Sequence, residues 1–153
     1  MSLVTNKRGD IFLAFWPSAD DTHIPSTYTG IPLTHALIIV HHKGMHLLIY
    51  NRWRQQWEVP GGIIETGESP HECIVRELFE ETGQKLDNLT FRGWMKFQLQ
   101  PDQRLEIGAL YSGILRHIAP FEANAEADRI TFWDSVADIG YVNEIDRMLL
   151  EYG

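Results

Sequence analysis

The stretch Gly62-Ile-Ile-Glu65-Thr-Gly67-Glu68-Ser69-Pro70-His-Glu72-Cys73-Ile74-Val75-Arg76-Glu77-Leu78-Phe79-Glu80-Glu81-Thr-Gly83-Gln84 decides how this chain is read. Glu77, Glu80 and Glu81 stand at i, i+3 and i+4, offsets that share one face of a helix. Three carboxylates on one face repel one another and cost stability unless a cation neutralises them. Solvated acidic faces usually interleave Lys or Arg, whereas here Arg76 is the only Lys or Arg in the helical run. Hard divalent cations such as Mg²⁺ take oxygen ligands, commonly a few carboxylates together with substrate phosphates. The pattern points to metal-assisted chemistry on a phosphorylated substrate.

Local signals predict the helix itself. Ser69 is a favourable N-cap, Pro70 falls at the first helical position, and Glu72 lies three residues after the cap, which completes a capping box. Ile74 and Leu78, with Val75 and Phe79, form an apolar stripe, and the three glutamates are expected to project away from it. Gly83 is suited to stop the helix in the left-handed conformation. Gly61-Gly62 and Thr66-Gly67 mark turns ahead of it. The predicted order is strand, glycine-rich loop, helix, loop.

With this spacing the segment resembles the Nudix box: Gly, five residues, Glu, seven residues, Arg-Glu-apolar-x-Glu-Glu-x-Gly-apolar. Gly62, Glu68, Arg76, Glu77, Leu78, Glu80, Glu81 and Gly83 fall on its fixed positions, and Trp57-Glu-Val-Pro60-Gly61-Gly62 is similar to the family's lead-in. Gln84 departs from the pattern, which has an apolar residue there, and a local packing difference is expected. The resemblance implies an α/β Nudix fold, an α/β/α sandwich with a mixed sheet and a loop-helix-loop catalytic motif. It implies a hydrolase that cleaves a nucleoside diphosphate linked to another group, with Mg²⁺ or Mn²⁺ as cofactor. Carried over by position, Glu77, Glu80 and Glu81 would be metal ligands, joined by the carbonyl of Gly62. Arg76 and Glu68 would pair and hold helix and loop in register. A divalent cation neutralises phosphate oxygens and lowers the pKa of water, while a nearby carboxylate takes its proton.

Composition bounds the rest. A chain of 153 residues, 44% hydrophobic, suits a single domain over residues 1–153. No apolar run reaches the roughly 18 residues of a membrane span, and the first ten residues lack a signal-peptide pattern. One cysteine, Cys73, excludes an internal disulfide and reads as a small packing residue. These features are expected of a cytoplasmic enzyme. A net charge of −8 without a basic stripe disfavours nucleic acid as a partner. The expected partner is a small nucleotide, with no membrane partner, and a homodimer is compatible with the sequence. The seven histidines show no zinc spacing.

Along the chain, residues 10–16 predict a strand and 17–32 a long polar loop of the kind that often covers a site. Residues 34–40 and 45–50 predict a hairpin turned at Lys43-Gly44. Residues 90–99 and 105–115 predict two more strands, 130–133 a short last strand and 141–152 a closing helix.

Outside the box, a further carboxylate is expected opposite the helix, where it would bind a second metal or take a proton from water. Glu106 is the first candidate and Glu122 and Glu126 are the runners-up. Arg52 and Arg54, flanking Trp53, are candidates to hold leaving phosphates. The substrate expected is a nucleoside triphosphate, including oxidised forms such as 8-oxo-dGTP, cleaved to the monophosphate and pyrophosphate. Hydrolysis of ADP-ribose, nucleotide sugars or dinucleoside polyphosphates is the alternative. A nucleotide-sensing module without turnover is the alternative of another class.

Overall fold

Two long apolar strands, β3 (Leu33–His42) and β8 (Arg104–Ile114), lie side by side in parallel at the centre of the sheet. The computed structural model describes residues 2–153. On the β8 side follow β7 (Thr90–Leu99), β2 (Ile11–Pro17) and β1 (Val4–Thr5), each antiparallel to its neighbour. On the other side β3 turns through Lys43 and Gly44, both at positive φ, into β4 (Met45–Asn51). The hairpin splays at once, since β3 pairs with β4 only at His41 and His42. The vacated edge of β3 takes β6 (Gly61–Ile63), while β4 takes β5 (Gln56–Glu58) and β9 (Ala127–Trp133). That splay opens the sheet beside β6.

Two helices cover opposite faces, so the strands of the mixed sheet read as near-continuous apolar runs. Along β3, Ala36, Ile38 and Val40 pack with Ile107, Ala109 and Tyr111 of β8 against Cys73, Ile74 and Leu78 of α1 (Pro70–Thr82). Ile39 and Leu110, one register position away, pack with Leu48, Met95 and Phe97 against Ile145 and Leu149 of α2 (Glu144–Leu149). The period of two distributes one strand's side chains between two cores. Each fully buried Ile or Leu contributes about 1.5–3 kcal/mol of transfer free energy.

The N-terminus of α1 forms as its sequence dictates. Ser69 Oγ accepts from Glu72 N at 3.1 Å, Glu72 Oε1 accepts from Ser69 N at 2.9 Å, and Gly83 ends the helix at φ 74°. Its buried face differs from the predicted stripe. Cys73 is fully buried with Ile74 and Leu78, whereas Val75 and Phe79 are about half exposed. Gln84 is buried where an apolar residue was expected. It donates to Ala119 O at 2.8 Å and accepts from Ala119 N at 2.8 Å, so a side chain pairs the backbone of the following loop.

Three further differences have local causes. The closing helix covers 144–149 rather than 141–152, because Trp57 N donates to Tyr141 O and Asn143 N donates to Trp57 O, holding residues 141–143 extended beside β5. Asn143 then caps α2, its side chain accepting from Ile145 N at 2.9 Å. The last strand begins at Ala127, three residues earlier than predicted. The loop 17–32, apart from a 3-10 turn at Ser26–Tyr28, packs beside the start of α1 and lines none of the main cleft. Tyr28 is buried in the α1-side core and Tyr111 Oη donates to Asp21 at 2.8 Å, which ties this loop to the sheet away from the carboxylates.

Candidate active site

The end of β6, the loop after it and α1 are knitted by Arg76. Its guanidinium donates to both oxygens of Glu68 (2.7 and 2.9 Å), to Glu77 Oε1 (2.9 Å), to Glu80 Oε2 (3.2 Å) and to the carbonyl of Ile63 (3.1 Å), and lies 3.0 Å from Glu65. A planar fork with several donors suits this role, where a lysine ammonium would not span it. Hydrogen bonds from Arg76 hold the Glu68 carboxyl down at about 2.

Gly61 and Gly62 form the start of β6 rather than the predicted turn, because they pair with Leu37 and Ala36 of β3, and position 62 must be glycine for a reason of space. A Cβ on Gly62 would stand 2.5 Å from the carboxyl carbon of Glu77, so Glu77 occupies the volume of the absent side chain. Gly61, at φ 153°, donates its N–H to Glu81 Oε1 at 2.9 Å. The Gly62 carbonyl faces Cys73, whose thiol donates to it at 3.7 Å; burial pushes that thiol up to about 12 and keeps it protonated.

Glu77 and Glu81, one helical turn apart, converge with Glu126 from the segment before β9; an oxygen of each lies within 4.8 Å of the others. Glu81 is 2% exposed. Burial, and then the charges of Glu126 and Glu77, push its carboxyl up to about 10, against the Gly61 hydrogen bond that favours the charged form. Burial also raises Glu77, with Arg76 opposing. The donor set is all carboxylate oxygen, short of positive charge, and fits a hard divalent cation.

The other predicted residues are distributed differently. Glu80 is turned to Arg76 and solvent and lies outside the trio. Glu106 does not face the box helix. Its neighbours Ile107 and Ala109 point to the α1 core, so strand alternation sends Glu106 to the opposite face with Leu110. There it accepts from Thr34 Oγ1 and from Arg104 Nε, each at 2.5 Å, with His35 Nδ1 3.4 Å away. Glu126, a runner-up from the sequence, takes the place beside the helix glutamates, and Glu122 is not in the trio. The arginines separate as well. Arg54 lines the cleft and pairs with Glu58 at 3.2 Å, whereas the side chain of Arg52 is exposed outside it, and only its backbone N–H reaches Glu126 O.

Glu77 and Glu126 line a cleft of about 1090 Å³ that runs through the splay in the sheet to the α2 side. Lys7, Arg8, Arg54 and Arg104 stand along it, the three arginines paired with Asp10, Glu58 and Glu106. Deeper, Asp146 accepts from Val59 N at 2.9 Å, and burial, followed by the charge of Glu58, raises it well above the usual carboxylate range. Lys7, Arg8, His35, Arg104 and Asp146 carry no signal in sequence that assigns them here, because each reaches the cleft only through tertiary packing. No helix among the described residues is long and apolar enough to cross a membrane.

The family model of the NUDIX domain matches residues 32–150. An RNA pyrophosphohydrolase of Tolumonas auensis is 33% identical over 67 residues, 41% of this chain and 38% of the relative. A putative 8-oxo-dGTP diphosphatase of Bacillus subtilis is 32% identical over 80 residues, 51% of this chain and 54% of the relative. The chain therefore spans well under two thirds of these relatives' length. The crystal structure of a MutT NUDIX hydrolase from Burkholderia pseudomallei superposes with a TM-score of 0.68 at 17% identity, covering 79% of this chain and 97% of that one, a likeness of fold.

Proposed function

Because the chain belongs to the NUDIX domain family, we propose that it is a divalent-metal-dependent hydrolase of a diphosphate linkage in a nucleotide. The observation that carries this reading is the convergence of Glu77, Glu81 and Glu126 beside a nucleotide-sized cleft that Arg54 also lines. Glu77, Glu81 and Glu126 would hold Mg²⁺ or Mn²⁺, whereas Glu80 and the Gly62 carbonyl are turned to Arg76 and Cys73. The cation, when bound, supplies charge neutralisation on the phosphate oxygens. Glu126, the exposed member of the trio, is the carboxylate open to the attacking water and able to take its proton. Arg76 and Glu68 hold the loop against the helix, so that Gly61 and Gly62 present their backbone at a set distance from Glu81 and Glu77. Arg54 exchanges its Glu58 partner for substrate phosphate.

The proposed substrate is a nucleoside triphosphate, oxidised forms such as 8-oxo-dGTP included, cleaved to the monophosphate and pyrophosphate. The name of one relative, a putative 8-oxo-dGTP diphosphatase, supports a nucleoside triphosphate. Residues 1–153 are taken to act as one domain, since Lys7, Arg8 and Asp10 line the same cleft as the box. The test is chromatographic identification of the nucleotide products formed with Mg²⁺ from nucleoside triphosphates, oxidised deoxynucleotides, ADP-ribose, nucleotide sugars and dinucleoside polyphosphates, alongside equilibrium binding. Turnover confined to triphosphates supports the reading. Binding without turnover moves the protein to nucleotide sensing, and turnover of ADP-ribose or nucleotide sugars moves the substrate.

A further inference from the structure

Strand β3 sends Ala36, Ile38 and Val40 to the α1 side and Leu37 and Ile39 to the α2 side. By the same alternation His35 faces the α2 side, on the wall of the cleft that Asp146 and Val59 share and away from the carboxylate trio. Two short contacts tie it there. Thr34 Oγ1 lies 2.5 Å from Glu106 Oε1 and 2.7 Å from His35 Nδ1.

Proton counting gives these contacts a direction. A hydroxyl has one proton to donate. Glu106 already receives Arg104 Nε on its other oxygen, so its carboxylate acts as the acceptor and Thr34 donates to it. The Thr34 oxygen must then accept from His35, which places the ring proton on Nδ1. Burial, and then the charges of Arg54 and Arg104, lower the His35 pKa and favour the neutral ring, with the Glu106 charge opposing. A neutral imidazole protonated at Nδ1 carries its lone pair on Nε2. Among the described residues Nε2 has no protein partner, and it is not sealed from solvent. Arg104, Glu106, Thr34 and His35 thus form a chain that presents one fixed acceptor to the cleft.

We propose that His35 is a specificity residue of this site, whose Nε2 accepts a hydrogen bond from an N–H or O–H donor on the nucleoside half of the substrate, while Thr34 and Glu106 are positioning residues that fix its tautomer. The inference rests on the nucleotide reading above and adds which half of the substrate this wall reads. A tautomer fixed in advance discriminates because a ligand offering an acceptor there would leave both groups unpaired.

The test has two readouts. Long-range ¹H–¹⁵N correlation of the imidazoles, assigned with His35→Gln, reports the tautomer in the ligand-free protein. Calorimetry with Mg²⁺ then measures affinity for α,β-methylene triphosphates of adenosine, of guanosine, of purine riboside, which has no exchangeable base N–H, and of 2′,3′-dideoxyadenosine, which has no sugar O–H. The expected result is an Nδ1-protonated ring, lost in Thr34→Val. His35→Leu should weaken binding roughly 3- to 10-fold for the analogues that carry the donor, as for one neutral hydrogen bond, and leave the analogue without it unchanged. Which analogue is spared identifies base or sugar as the source. His35→Gln, whose amide oxygen reaches the same place, should stay within about twofold of wild type. An Nε2-protonated ring overturns the proposal, and so does an equal loss, or no loss, on all four analogues in His35→Leu. Failure of the wild-type protein to bind any analogue overturns the nucleotide reading and this inference with it, while the ligand-free spectrum still judges the hydrogen-bond chain separately.

Discussion

Glu81→Gln in the metal-free protein is a perturbation with an unusual expected sign: loss of a carboxylate at the candidate site should stabilise the fold. Glu81 is 2% exposed and its carboxyl is pushed from 4.5 up to about 10 by burial and by the charges of Glu126 and Glu77. A group whose folded pKa exceeds its unfolded value contributes most below the unfolded pKa, and its contribution is lost as pH rises through the folded pKa. Between pH 4.5 and pH 7 this one carboxyl withdraws about 3 kcal/mol. Glutamine keeps the oxygen that accepts from Gly61 N and removes the titration. In EDTA near pH 7 the variant should therefore melt higher by up to roughly 6–12 °C, at about 2–4 °C per kcal/mol for a domain of this size. The two proteins should converge near pH 4.5. Mg²⁺ narrows the gap. A cation that binds only the folded state adds about 2.7 kcal/mol at a hundred times its Kd, and the variant, with one carboxylate fewer, should gain much less. Melting curves for both proteins, from pH 4.5 to 8.5, in EDTA and in Mg²⁺, test all of this. A variant that is less stable than wild type in EDTA at pH 7, or a Mg²⁺ shift equal in both, would refute the reasoning.

Other outcomes follow from the same geometry. Glu77→Gln and Glu126→Gln should each lower kcat on the order of 10²-fold or more with the fold retained, while Glu80→Gln, turned to Arg76 and solvent, costs less; steady-state rates with Mg²⁺ rank the three, and a larger loss at Glu80 would shift the proposed ligand set. Gly62→Ala places a methyl where the Glu77 carboxyl stands, so it should weaken the Mg²⁺-dependent rise in Tm and the rate together; a normal rise in Tm would show that Glu77 is not held there. Arg76→Lys loses the fork to Glu68 and the reach to Ile63 and should cost about 2 kcal/mol by chemical denaturation, and an unchanged midpoint would make the network a surface feature. Gln84→Leu restores an apolar residue but strands the N–H and carbonyl of Ala119; it should destabilise by about 1–3 kcal/mol, and a stabilised variant would show that packing outweighs those bonds.

The segment from Gly62 to Gly83 was legible in sequence because its structure is made by local interactions. Capping by Ser69 and Glu72, proline at the first turn, glycine at the end and the i, i+4 spacing of Glu77 and Glu81 involve neighbours along the chain, and they form as read. Strand alternation likewise made the apolar runs of β3 and β8 recognisable, though not their partners. What the tertiary structure alone decided is which groups from distant segments meet. The face of Glu106 depends on the register of β8 against β3 and β7, and one register position separates the α1 core from the cleft wall. Glu126 reaches the helix glutamates because β9 pairs with β4 and brings the residues before it to the box. Residues 141–143 stay extended, against the helical spacing of their neighbours, because Trp57 supplies backbone partners that a helix would have found within itself. Spacing along the chain sets what a helix displays, whereas strand pairing and register, fixed by burial on two faces at once, set what stands opposite.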